Sequence, residues 1–79
     1  MDDRQRLLHI LRGIDEDVDF AHETGLVDRE LIDSLDITVI IAAIDEAFGV
    51  HITTGDIEPE NFNSAQAMLE LIDRHRARP

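Results

Sequence analysis

The chain has no cysteine, lysine, tryptophan or tyrosine. Without cysteine there is no disulfide and no thiolate zinc site to hold a small fold together. Phe20, Phe48 and Phe62 are the whole aromatic content, so the core of these 79 residues has to be aliphatic. A domain of this size buries a modest share of its surface, and its core has to be simple. Glycine is scarce, at four residues, and no phosphate-cradling or dinucleotide-binding glycine pattern occurs. No apolar run reaches the roughly 20 residues of a membrane-spanning helix. The longest is interrupted by Asp36 and Thr38 and stops at Asp45. The opening MDDRQRLLHI begins with acids and is not built like a secretory signal. A cytoplasmic protein without membrane insertion is expected.

Positive charge is also scarce. Seven arginines face 18 acidic residues, for a net charge of −11. Such a surface argues against nucleic acid, whose phosphates need basic contacts, and against anionic membranes. It suits a basic protein partner drawn in by electrostatic steering. The same charge also serves simply to keep a small protein soluble. Hydrophobic residues make up 43%, ordinary for a folded chain.

Residues 3–14 place Leu7, Leu8, Ile10, Leu11 and Ile14 at helical spacing, with Asp2 and Asp3 at the start and Gly13 positioned to end the helix. Residues 15–33 read as a long connection. It carries too many apolar residues for a disordered linker, so it should lie across the core and plug into it with Phe20 and Leu26. A short helical turn at Arg29–Ile32 is compatible with this reading.

The stretch LDITVIIAAIDEAFGV, residues 35–50, is ambiguous. Propensity alone makes the β-branched run 37–41 a strand. The apolar pattern is too long for a strand, however, and Ile37, Ile40, Ile41, Ile44 and Phe48 follow three-and-four spacing. Asp33 or Ser34 can cap the start, and Gly49 suits the stop. A helix over 34–48 is therefore expected. Leu35 and Val39 fall off its main stripe; they form a small exposed patch beside Ser34 or pack under the preceding loop. Residues 50–62 have room for one helical turn around Asp56–Glu60, with Ile52 and Ile57 as core anchors. The last helix is expected over 64–75. Asn63 is its N-cap and Gln66 completes a capping box, with Ala65, Met68, Leu69 and Ile72 facing the core. Arg74, His75 and Arg76 suit its negative end, and the tail to Pro79 should fray. One domain over 1–79 results, with an ordered core of about 3–75.

Few residues offer chemistry. Asp15, Asp17 and Asp19 alternate like the start of a calcium loop, but its glycine and glutamate positions hold Phe20 and Leu26. The four histidines have no metal spacing, and no GxSxG elbow surrounds Ser34. Serine catalysis needs a base nearby; His22 could approach Ser34, but nothing local requires it. No catalytic residue and no metal ligand is assigned, and the chain reads as a non-enzyme.

LIDSLD (31–36), IDEAFGVHI (44–52) and DIEPENFNSAQAMLELI (56–72), taken together, resemble the acyl carrier protein family over about residues 5–75. The resemblance implies an all-α, three- to four-helix bundle with a long structured loop between its first two helices. It further implies a 4′-phosphopantetheine arm on the serine of DSL, here Ser34, holding an acyl or aminoacyl group as a thioester. The implied partners are a phosphopantetheinyl transferase and an adenylating ligase or acyltransferase, docking on Asp33, Leu35, Asp36, Val39, Asp45 and Glu46 of a monomer. Ile32 stands where housekeeping fatty-acid carriers usually have a small residue, and Val39 where glutamate is common there. GLVDRELIDSLD and DIEPENFNSAQAM look more like stand-alone D-alanyl or aminoacyl carriers. The alternative from another class is an unmodified helical interaction module using the Leu35/Val39 face.

Overall fold

The computed structural model describes residues 2–77. Four α-helices follow one another: α1 (Asp3–Ile14), α2 (Ser34–Phe48), α3 (Pro59–Phe62) and α4 (Ala65–Arg76). A 3₁₀ turn, Thr54–Asp56, lies between α2 and α3, and no strand occurs among the described residues. Helix α1 packs against both α2 and α4, and α3 packs against α4. This is the expected all-α bundle, with a 19-residue connection, 15–33, between α1 and α2.

Each long helix starts with a side chain that supplies what the first turn lacks. The Asp2 carboxylate accepts from Gln5 N at 2.8 Å, and the Gln5 side chain accepts from Asp2 N at 3.2 Å. Asp33 and Asp36 repeat this reciprocal pattern at the head of α2, at 2.9 and 3.1 Å. Both pairs satisfy backbone donors that a helix start leaves orphaned. Gly49 ends α2 in the left-handed conformation, φ 67°, where a side chain is disfavoured. Gly13 does no such work: it sits inside the last turn of α1, and the extended Asp15 is the cap.

The β-branched run 37–41 is helical because helical spacing puts Ile37, Ile40 and Ile44 into the core together. Burial on one face overrides local strand preference. Leu7, Leu8 and Leu11 meet them from α1, and Ala65, Met68, Leu71 and Ile72 from α4. The long connection contributes Phe20 and Leu26 to this core, as expected. Leu71 was not among the expected core residues and is fully buried, whereas Leu69 is half-buried. Helix α4 packs on two neighbours, α1 and α3, so its buried face is wider than a single stripe.

Three expectations fail in the second connection. Two short helical segments replace the one turn placed around Asp56–Glu60, with Ile57 and Glu58 between them. Ile57 is 43% exposed, so the anchors are Ile52 and Phe62 instead. Asn63 does not cap α4. It ends α3 in helical conformation (φ −71°, ψ −18°), and the extended Ser64 is the cap, accepting from Ala67 N at 3.0 Å. An N-cap needs extended backbone, which Asn63 gives up by closing α3. With Ser64 as cap, the third helical residue is Ala67, so Gln66 completes no capping box.

Asn63 acts across the molecule. Its Oδ1 accepts from Val27 N (2.9 Å) and Asp28 N (3.1 Å), its Nδ2 donates to Asp28 (3.1 Å), and its carbonyl accepts from Leu26 N (2.9 Å). This clasp fastens the long connection to the α3–α4 junction. The expected helical turn at Arg29–Ile32 is absent; a tight turn covers Leu26–Glu30, and Leu31 and Ile32 both donate to the Leu26 carbonyl. Glu30 is held at φ 58°, in a region that residues other than glycine rarely adopt.

The C-terminal end is tied by polar contacts. His75 Nε2 lies 2.8 Å from the Asp56 carboxylate, which also accepts from the backbone N–H and hydroxyl of Thr53. Burial favours the protonated Asp56, but the hydrogen bonds from Thr53 and His75 outweigh it and hold this carboxyl below its ordinary value. Phe48 is half-buried rather than a core residue. The Arg6 and Arg76 guanidinium groups lie 5.5 and 5.2 Å from its ring centre, and Arg76 also bonds Asp3 at 2.7 Å. The tail residues expected to fray, 78–79, lie outside the described residues.

Candidate functional site

Ser34 is the first residue inside α2 and is exposed. Asp33 and Asp36 complete the cap between them, so the Ser34 hydroxyl is not spent on capping. Thr38 Oγ1 donates to the Ser34 carbonyl at 3.0 Å. The Asp36 N–H is taken by Asp33, and helix geometry leaves the N–H groups of Ser34 and Leu35 without intrahelical acceptors. A hydroxyl on a fixed turn, next to free N–H groups at the positive end of a 15-residue helix, suits a covalently attached anionic group.

Leu35 is 72% and Val39 45% exposed. They form an open patch one turn apart and do not pack under the loop. Asp36 is half-exposed, and Asp33, Asp45 and Glu46 are exposed. Asp33, Ser34, Leu35, Asp36 and Val39 therefore share the first two turns. Asp45 and Glu46 lie roughly 16–18 Å from Ser34 along the axis at about 1.5 Å per residue. Helical spacing puts Glu46 on the stripe of Leu35 and Val39, and Asp45 on that of Ser34 and Thr38. Asp45 has a local neighbour, His51, at 3.7 Å.

No histidine serves Ser34. The His22 ring is bonded to Asp19 at 2.8 Å, and both side chains are exposed. Among the described residues no polar or charged side chain is buried, and no cluster of metal-ligating side chains forms. Asp15, the first of the alternating aspartates, accepts from Asp17 N.

An open groove runs beside Ser34, lined by Val27, Glu30 and Ile32 from the connection and by Asp33, Ser34 and Ile37 from the head of α2. Sequence reasoning assigned no role here to Val27, Glu30 or Ile37. Nothing in their identity marks them, because the groove exists only when the connection folds back. A larger open groove at the end of α1, lined by His9, Arg12, Glu16, Asp17 and Asp19, is remote in sequence from Ser34 and contains no nucleophile.

An aliphatic bundle that presents a serine at a helix tip has the build of a carrier protein. No family model matches the chain. An acyl carrier protein from Buchnera aphidicola subsp. Baizongia pistaciae (strain Bp) is 39% identical over 55 residues, covering 70% of this chain and 68% of the relative. The chain belongs to the acyl carrier protein family. No helix among the described residues is long and apolar enough to cross a membrane.

Proposed function

We propose that the chain is a discrete carrier whose Ser34 receives a 4′-phosphopantetheine arm from coenzyme A. The arm supplies the thiol that holds an acyl or aminoacyl group as a thioester. The observation that carries this reading is the position of Ser34, exposed on the first turn of α2 and free of the cap formed by Asp33 and Asp36. Transfer forms one bond from Ser34 Oγ to phosphorus and releases the nucleotide half of coenzyme A. A base on the transferase takes the hydroxyl proton, since no histidine of this chain is bonded to Ser34. The unpaired N–H groups of Ser34 and Leu35 favour the resulting phosphodiester.

Partners in this reading are a phosphopantetheinyl transferase and an adenylating ligase or acyltransferase. They dock on the acidic and apolar surface of α2: Asp33, Leu35, Asp36 and Val39 beside the serine, with Asp45 and Glu46 at the far end. Ile32 ahead of the DSL and the exposed Val39 support a D-alanyl or other aminoacyl-type carrier over a fatty-acid carrier. The carrier acts as a cytoplasmic monomer and a single domain.

Intact mass after incubation with coenzyme A and a broad-specificity transferase tests the reading. A gain of one phosphopantetheinyl group, absent in Ser34→Ala, is expected. No gain from folded protein with active transferase would turn the reading toward an unmodified interaction module on the Leu35/Val39 face.

A further inference from the structure

The groove beside Ser34 is a constructed feature. One wall is the segment Leu26–Ile32, which folds back because Leu31 and Ile32 donate to the Leu26 carbonyl at 2.9 and 3.1 Å. Asn63 anchors that wall from the other side of the molecule through the N–H groups of Leu26, Val27 and Asp28. The turn holds Glu30 at φ 58° and brings this residue into the lining. A non-glycine residue kept in that region is strained and has to be held there by its surroundings. The opposite wall is the head of α2, with Ser34 itself on the rim.

Any group tethered to Ser34 Oγ starts at this rim. In 4′-phosphopantetheine the phosphodiester is followed by a methylene, a quaternary carbon with two methyl groups, a carbon bearing a hydroxyl, and an amide. The groove lining combines three aliphatic residues, Val27, Ile32 and Ile37, with two acidic ones, Glu30 and Asp33. The anion belongs with the free N–H groups of Ser34 and Leu35. Beyond it, Val27 is half-exposed, and Ile32 and Ile37 show only their edges. These three branched aliphatic side chains suit a compact pair of methyls. The Glu30 carboxylate can accept from a hydroxyl or amide N–H.

Resting on Ser34 as the attachment point, we propose that this groove is a docking subsite for the pantoyl segment of the arm. Val27, Ile32 and Ile37 contact its geminal methyls, and Glu30 accepts from its hydroxyl. The proximal arm is then held against the connection while its thiol end stays free to visit partner enzymes. Leu35 and Val39, which do not line the groove, remain available to those partners.

The test is an isotope-filtered nuclear Overhauser experiment on uniformly labelled chain loaded with unlabelled coenzyme A, with intact mass recorded on the same sample. A mass gain with cross-peaks from the arm's geminal methyls to Val27, Ile32 or Ile37 is expected. Val27→Ala should load to the same mass and lose most of the cross-peak intensity at Ile32 and Ile37. A full mass gain with no cross-peak in the groove, or with cross-peaks only to Leu35 and Val39, overturns the subsite and leaves Ser34 attachment standing. No mass gain from folded protein removes the attachment reading and the subsite with it.

Discussion

Replacing Asn63 by alanine should loosen the loop beside Ser34 from a position that is not in the groove. The side chain makes three hydrogen bonds, at 2.9, 3.1 and 3.1 Å, to Val27 and Asp28. A net hydrogen bond is worth roughly 0.5–1.5 kcal/mol. Asp28 is exposed and recovers water, so its two bonds count at the low end; the half-buried Val27 N–H recovers less. The expected loss is about 2 kcal/mol. Against roughly 0.05–0.15 kcal/mol per residue for a folded domain, that is a large fraction of the whole. A urea melt followed by circular dichroism, with a slope of about 1 kcal/mol/M for so small a protein, should show the midpoint fall by about 2 M. Amide exchange at Val27, Leu31 and Ile32 should accelerate before global unfolding. Asn63→Asp keeps the two acceptor contacts but turns the donor toward Asp28 into a second carboxylate. That repulsion loosens the clasp and shrinks with salt. Adding Asp28→Asn restores a donor and should recover most of the loss. A midpoint for Asn63→Ala within about 0.3 M of the parent, at equal slope, would refute the clasp.

Ser34→Ala should abolish the mass gain while melting within about 0.5 kcal/mol of the parent, because the cap is Asp33. Asp33→Ala should cost about 1 kcal/mol, and the reverse order of these two would contradict the capping geometry. Phe48→Ala should cost about 2–3 kcal/mol, the sum of a half-buried ring and two cation–π contacts. A loss of about 3–5 kcal/mol, typical of a fully buried phenylalanine, would show that the ring is core. The folded-state pKa of Asp56 lies below its ordinary 3.8, so its contribution is fully present above that value and is lost as pH falls through the lower folded one. Asp56→Asn should therefore flatten the acid limb of the stability profile below about pH 4; an unchanged limb would deny the Asp56–His75 tie its role. Asp45→Arg and Glu46→Arg should slow loading by a basic transferase at low salt and matter less as salt rises. Stopped-flow or time-resolved mass measurements read this, and equal rates would remove that end of α2 from the docking surface.

Helices α1 and α2 are legible in the sequence because capping and apolar spacing agree in each. Asp2 with Gln5 and Asp33 with Asp36 mark the starts, and Gly49 marks one stop. Ser34 is legible to within one position: Asp33 and Ser34 both fit the cap, and the extended backbone of Asp33 puts Ser34 on the first turn. The α2–α4 connection is less legible. Two helical segments a few residues apart compete for the same polar residues, and Asn63 fits a cap signature that Ser64 fulfils one position later. Ile57 looks like an anchor by hydrophobicity alone, but Ile52 and Phe62 take the core positions around it.

The sequence by itself determined the class of fold, the aliphatic core, the acidic surface and the serine at the tip of α2. These depend on local spacing and composition, which a linear chain carries in full. Only the tertiary structure decided that Leu35 and Val39 stay exposed and that Phe48 stands between two arginines. It also decided that Asn63 holds a loop 35 residues away and that Glu30 is bent into a left-handed turn beside Ser34. Each of these depends on which distant segments meet, and burial and hydrogen-bond satisfaction across the whole bundle select that meeting.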